Sequence, residues 1–287
     1  MVRPANLITS ATDIIAGATL ATLLVGAGNE SLPFGSFFLL LISTILLYAG
    51  GIAFNDVFDL ELDRTERPER PLPSGRITRS NAIGFASSLL VLGILFAFGS
   101  NPLSGGLALA IAVFSLVYNK WSKHHVFVGP LNMGMLRGLN LLLGMSILPQ
   151  AVYVHYLIAL IPLIYIFAIT MVSRGEVHGG SAGSLVIALG LFIIVDVAIL
   201  SYGFRYEKVW FPIIFTFLHL IFVLPPLFKA LKDPVPQHIR QTVKHGVLGV
   251  ILVDAIWVSM TEYWYLAFGL LLLIPLSQKL ARYFSVT

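Results

Sequence analysis

The sequence predicts an all-α membrane protein that crosses the bilayer many times. Apolar stretches of about 20 residues, the length that spans a bilayer, recur along the chain. Hydrophobic residues make up 57% of the 287 and charged residues only 11%, where soluble domains carry about 25%. Lysines and arginines crowd alternate loops, as the positive-inside rule requires. A mean hydropathy of +0.88 agrees with all three. There is no cysteine, which removes disulfides, thiolate metal sites and cysteine nucleophiles together. The basic residues are scattered among short loops between spans, which excludes a nucleic-acid surface.

Apolar windows fall at about 7–27, 34–54, 80–99, 103–119, 128–148, 152–172, 183–202, 209–230, 243–260 and 263–281. The first carries Asp13, has only Arg3 before it and lacks a cleavage site, so it reads as a retained helix rather than a signal peptide. Gly99-Ser100-Asn101-Pro102 is a tight turn between the third and fourth windows, and the break at Thr261-Glu262 is equally short. The last pair reads as two spans, or as one span with a re-entrant or interfacial piece. With a cytoplasmic N-terminus, all 18 lysines and arginines except Arg137, Arg205 and Lys208 lie on the cytoplasmic side. The expectation is a single transmembrane domain over residues 1–287 in the cytoplasmic (inner) membrane. Four cytoplasmic loops, Arg64–Arg79, Lys120–His125, Arg174–Gly180 and Lys229–Lys244, converge on one cavity mouth.

The second window runs into Asn55-Asp56-Val57-Phe58-Asp59-Leu60-Glu61-Leu62-Asp63. At about 100° per residue, Asp56, Asp59 and Asp63 fall within a sector of roughly 60° on one helix, and Glu61 points the other way. Three like charges on one face repel and call for a cation. Beyond them Arg64-Thr65-Glu66-Arg67-Pro68-Glu69-Arg70-Pro71-Leu72-Pro73-Ser74-Gly75-Arg76 ends the helix and turns the chain. Carboxylates beside a basic turn suit a metal-bridged polyphosphate: the acids hold Mg²⁺, Mg²⁺ holds phosphate oxygens, and arginines take the rest. The plainer alternative is that Arg67 and Arg70 pair with Asp63 and Asp59 in a solvated loop.

The N-D-x-x-D-x-x-x-D pattern at Asn55–Asp63, followed by Arg70-Pro71-Leu72-Pro73-Ser74-Gly75, resembles the first signature of the UbiA superfamily of intramembrane prenyltransferases. Arg3-Pro4, Tyr118, Lys123, Asn132 and Arg137 extend the resemblance. It implies a UbiA-type bundle, usually of nine helices, around a central cavity with two acidic motifs at its cytoplasmic mouth. It further implies a polyprenyl diphosphate donor whose head sits on Mg²⁺ at Asp56, Asp59 and Asp63, with its chain among apolar helices and an acceptor within the membrane. Asn55, Arg70, Tyr118, Lys123, Asn132, Arg137 and His178 are then the substrate-binding candidates, and Glu176 a further metal ligand. Aromatic faces at Phe54, Phe58 and Tyr118 suit a cation-like allylic carbon, although bundle packing accounts for each singly.

Arg137 lies inside a span, where a guanidinium faces a polar cavity or an acidic partner. The intramembrane acids available as partners are Asp13, Asp196 and Asp254, otherwise read as helix-to-helix polar contacts. The second acidic motif of the family is thinned to Ser173-Arg174-Gly175-Glu176-Val177-His178-Gly179-Gly180, which has no aspartate. That variant resembles the EboC-type UbiA-like proteins, and it puts a second metal in doubt. Two other functions fit the same chain: a terpene cyclase of the same fold, and a non-catalytic protein that binds or transports an isoprenoid.

Overall fold

The computed structural model describes residues 4–26, 32–177 and 179–284; Arg3 and His178 lie outside them. Among the described residues every regular element is helical. In order these are α1 (Pro4–Val25), α2 (Phe34–Phe58), α3 (Leu60–Glu66), α4 (Arg79–Ser100), α5 (Pro102–Lys120), α6 (Val128–Met145), α7 (Pro149–His155), α8 (Leu160–Ser173), α9 (Ala182–Arg205), α10 (Trp210–Lys232), α11 (Pro236–Ser259), α12 (Tyr265–Leu271) and α13 (Leu273–Phe284). Single 3₁₀ turns at Ser122–His124, Tyr156–Ala159 and Arg174–Glu176 join them.

Local chemistry sets the boundaries. Asn101 Oδ1 accepts from Ser104 N at 2.9 Å and Pro102 occupies the first helical position, so the turn foreseen there caps α5. Thr78 and Ser181 cap α4 and α9 in the same way. Eight helical segments among the described residues are long and apolar enough to cross a bilayer. Two of the ten expected windows depart from that pattern. Helix α6 has 18 residues but carries Asn132, Arg137 and Asn140, which lower its hydropathy. The last window is broken into α12 and α13, because Pro275 cannot follow Leu271 in an unbroken helix.

Helix α6 is the centre of the bundle. Its Gly144 packs against α1 so closely that a Cβ there would lie 2.9 Å from Ile14 Cα and 3.0 Å from Asp13 O. Gly134 and Gly138 meet the backbone of Leu163 and Ala159 on the other side. Small residues allow this approach where lipid offers no hydrophobic drive between helices. The close packing brings Arg137 and Asn140 of α6 against α1, and Arg137 near Asp254 of α11.

The two ends differ in character. At one, Phe211 stacks on Trp264 with ring centroids 5.0 Å apart, and Lys208 pairs with Glu262 at 3.3 Å; aromatics of this kind gather at membrane interfaces. At the other, contacts knit three of the basic loops to one another and to the end of α2. Lys123 pairs with Asp59, Arg174 Nη2 donates to His125 O, Arg240 Nε donates to Glu176 O at 3.0 Å, and Gly180 N donates to Pro234 O at 3.0 Å.

Candidate active site

Asp56 stands in the last turn of α2 and Asp63 in α3, and the helix is interrupted between them at Asp59 (φ −89°, ψ 6°). The interruption is slight: Asp59 N still donates to Asn55 O at 2.9 Å, and Asp63 N to Asp59 O at 2.8 Å. It nevertheless divides the expected single acidic face. Arg70 Nη1 lies 2.9 and 2.7 Å from the two oxygens of Asp63 and 3.7 Å from Asp56 Oδ1. Asp59 turns instead to Lys123 of the Ser122–His124 turn. The pairings therefore differ from the plainer sequence reading. Arg67 is exposed, Arg70 serves Asp63 rather than Asp59, and Asp59 finds a partner 64 residues away. Among the described residues no three His, Asp or Glu side chains converge into a ready-made metal cluster. What does converge is a pair, Asp56 and Asp63, already sharing one cationic nitrogen.

The turn after α3 explains how Arg70 arrives there. Leu72 is buried with Val57, Leu60 and Ala82, which pins the loop against the end of α2. Ile77 N donates to Pro71 O at 3.1 Å, and Gly75 takes φ +76°, a conformation glycine adopts without strain. Leu72 is thus the anchor, and Arg70, two residues before it, is carried onto the acids.

Beside this cluster a cavity of about 430 Å³ penetrates the bundle, lined from α1, α2, α5, α6, α8 and α11; this volume lies in the usual range for small-molecule sites. Its lining is mixed. Thr9, Ser10, Thr44, Ser115, Asn140, Thr170 and Ser173 give it hydroxyl and amide groups, interspersed with aliphatic side chains such as Leu47, Ile111, Ile166, Ile169, Val243 and Val247. Of the candidate residues, Asn55, Tyr118 and Arg137 line it. Asn55 Nδ2 donates to Asn119 Oδ1 at 3.2 Å, and Asn119 Nδ2 to Gly51 O at 2.8 Å, so α2 and α5 are clamped where the acidic end meets the cavity. Asn119 was missed in the sequence; its place beside Tyr118 at the end of a span was the available signal. Phe54 and Phe58 stack on each other at 6.0 Å and are not among the cavity-lining residues.

Asn132 does not reach the cavity lining. Its Nδ2 donates to Ser122 Oγ at 3.0 Å, fixing the turn that presents Lys123. Glu176 is half-buried on the Arg174–Glu176 turn, held through its backbone oxygen by Arg240. Gly179 takes φ +92°, and Pro234 O would lie 2.9 Å from a Cβ there, so this loop is pressed against the start of α11. Glycines here serve that close approach.

Arg137 sits deeper and meets both a cavity and acidic partners. It lines the cavity, and its Nε lies 2.8 Å from Asp13 Oδ2, an ion pair without hydrogen-bond geometry. Its Nη2 donates to Thr9 O and lies 3.8 Å from Asp254 Oδ2. Asn140 Nδ2 donates to Asp13 Oδ2 at 2.8 Å, Thr44 Oγ1 to Asn140 Oδ1 at 2.7 Å, and Thr12 Oγ1 to Asp254 Oδ2 at 2.5 Å. Four helices are tied by this network. The third intramembrane acid, Asp196, belongs to another: His219 Nδ1 is 3.0 Å from Asp196 Oδ2, and Nε2 is 3.0 Å from the Tyr165 hydroxyl.

Comparison with known proteins decides the family. The family model described as "UbiA prenyltransferase family" matches residues 15–175, more than half of the chain. The chain belongs to the UbiA prenyltransferase family. The matched stretch includes Asn55–Asp63, Arg70, Tyr118, Lys123, Asn132 and Arg137, and stops at Gly175 within the thinned second motif. A digeranylgeranylglyceryl phosphate synthase of Methanosarcina barkeri is 37% identical over 115 residues, which is 40% of this chain and 40% of the relative. The aligned region thus spans about two fifths of that relative's length. Among solved structures, a UbiA homolog from Aeropyrum pernix K1 superposes with a TM-score of 0.68 at 16% identity, covering 89% of this chain and 98% of the other. A UbiA homolog from Archaeoglobus fulgidus bound to DMAPP and Mg²⁺ gives 0.54 at 17% identity, covering 88% and 98%. The UbiA-type fold, an all-helical multi-pass bundle around a central cavity, is therefore established for this chain.

Proposed function

We propose that this UbiA-family protein transfers a prenyl group from a polyprenyl diphosphate to an acceptor within the membrane, in an Mg²⁺-dependent reaction. The observation that carries the reading is the sharing of one cationic nitrogen by Asp56 and Asp63 beside the cavity. One or two carboxylates plus substrate phosphates is the set that Mg²⁺ ordinarily takes, and here Arg70 Nη1 stands in for the cation. Asp56 and Asp63 would hold the metal, with Asp59 and Glu176 as further oxygen donors. Bound there, Mg²⁺ supplies Lewis-acid stabilisation of the departing diphosphate. A likeness of fold to the DMAPP- and Mg²⁺-bound Archaeoglobus homolog is consistent with this.

The chain's own residues do the rest. Arg70 and Lys123 provide cationic N–H groups for diphosphate oxygens, with Asn55 at the junction with the cavity. His178 and Asn132 complete the candidate set, Asn132 by holding the Ser122–His124 turn. The aliphatic side chains of the lining suit the isoprenoid, and its hydroxyl and amide groups suit the acceptor. When the allylic C–O bond breaks, diphosphate leaves with the electron pair, the acceptor bonds to the allylic carbon, and the acceptor's proton is released. Tyr118 lines the cavity, and an aromatic ring there suits a cation-like allylic carbon. The name of the Methanosarcina relative describes prenyl groups on glyceryl phosphate, which makes a polar lipid or a hydroxyl-bearing headgroup the first acceptors to try. The Lys/Arg bias of the loops supports a site on the cytoplasmic side of the cytoplasmic membrane.

The loss of aspartate from Ser173–Gly180 favours one competing reading, an isoprenoid-binding protein without turnover. Mass spectrometry separates the possibilities. Lipid extracts of cells with the gene are expected to contain a species whose mass exceeds that of an acceptor by one prenyl group, absent without the gene. A product containing isoprenoid carbons alone would mark a cyclase, and no new species at all would favour the binding protein.

A further inference from the structure

We propose that Arg70 and Lys123 are resident counter-cations whose exchange of partners makes metal and diphosphate bind as a coupled pair. The inference rests on the prenyltransferase reading above and concerns how its site is loaded. Each aspartate of the first motif already has a cation: Arg70 on Asp63 and Asp56, Lys123 on Asp59. The pairs are largely withdrawn from water, with side-chain exposures of 11% for Arg70, 5% for Asp63 and 14% for Lys123. Ion pairs so placed are not the weak, freely exchanging pairs of a protein surface.

Two costs follow for a divalent ion arriving alone. It must displace a guanidinium that contacts both oxygens of Asp63. The displaced Arg70 and Lys123 then stand poorly hydrated and without anions, beside a newly added +2 charge. Stranding a buried charge is the expensive step. A diphosphate removes that cost, because its oxygens accept from the same guanidinium and ammonium groups. Diphosphate arriving alone meets the mirror difficulty, since its cations are still engaged by the aspartates. Each ligand therefore improves the other's affinity, and linkage requires the two factors to be equal.

This predicts a gain of affinity on removing a basic residue. Neutralising Lys123 leaves Asp59 unpaired, so metal no longer has to compete for it. The test uses Mn²⁺ as the probe, followed by electron paramagnetic resonance on purified protein at buffered free Mn²⁺, with and without inorganic pyrophosphate. Wild type should bind Mn²⁺ weakly, and pyrophosphate should tighten it by about 10-fold or more, within the usual range of coupling between sites. Lys123→Met should bind Mn²⁺ alone about 10-fold more tightly than wild type and gain little from pyrophosphate; the coupling magnitude is of the same order. Lys123→Arg, which keeps the counter-cation, should behave as wild type, and Asp63→Asn should weaken Mn²⁺ in every condition. Equal or weaker Mn²⁺ binding by Lys123→Met overturns the proposal, as does a wild type indifferent to pyrophosphate. Should Lys123→Met fail to fold, the same comparison is made with Arg70→Gln. If wild type binds no Mn²⁺ with or without pyrophosphate, the metal-dependent function itself falls. That outcome is distinct from tight binding without coupling, which defeats only this inference.

Discussion

Asp63→Asn is expected to lower kcat/KM for donor consumption by about 10³-fold, or about 4 kcal/mol of transition-state stabilisation, with the protein still folded. The size follows from what is removed: a metal supplies several kcal/mol to a departing diphosphate, and Asn keeps the shape of the side chain but not its charge. Asp63 is the most buried of the three acids and holds Arg70 with both oxygens. Asp56→Asn should match it, because the two share the same cation position. Asp59→Asn should cost less, since Asp59 is paired with Lys123 and does not share the Arg70 nitrogen. The ordering matters more than any single value. Steady-state kinetics on the three variants, with thermal unfolding in detergent as the folding control, provides it. Three equal losses would mean that the helix interruption at Asp59 does not divide the site.

Arg137→Met is expected to destabilise the protein by about 3–5 kcal/mol, the usual cost of breaking a buried pair by removing one partner. Asp13 and Asp254 both turn toward Arg137 from α1 and α11. Without it two buried carboxyl groups face each other, and Asp13 Oδ1 already has no hydrogen-bond partner. Asp13 keeps Asn140, and Asp254 keeps Thr12, so the fold should persist with a lowered midpoint. The double variant Arg137→Met/Asp13→Asn should recover part of the loss, because it removes an acid along with its cation. Unfolding in mixed micelles measures both. If the single variant is as stable as wild type, the network is not a structural tie and Arg137 serves the cavity alone.

Much of this was legible in the chain because bilayers impose simple rules. Span length and Lys/Arg bias located the loops, and the acidic spacing marked the candidate site. The intramembrane acids read as helix-to-helix contacts do make them: Asp13 with Asn140, Asp254 with Thr12, Asp196 with His219. What the sequence hid was partner choice across long separations. Asp59 meets Lys123 over 64 residues, and Asn55 meets Asn119 over 64; no local periodicity encodes such pairs. The split of the acidic face was equally hidden, since an ideal helix of 100° per residue has no interruption at Asp59. Asn132 was read as substrate-binding on resemblance, yet its neighbour is Ser122. That contact fixes the turn that carries Lys123, a pairing only three-dimensional packing reveals.

The central claim is that Asp56 and Asp63 hold Mg²⁺ for prenyl transfer. Its most direct test is consumption of a radiolabelled allylic diphosphate by the purified protein in lipid vesicles, assayed with Mg²⁺, with EDTA, and after Mg²⁺ is restored. Turnover should require Mg²⁺, stop with EDTA, return on restoration, and be absent in Asp56→Ala. Turnover that continues through both EDTA and Asp56→Ala would contradict the claim.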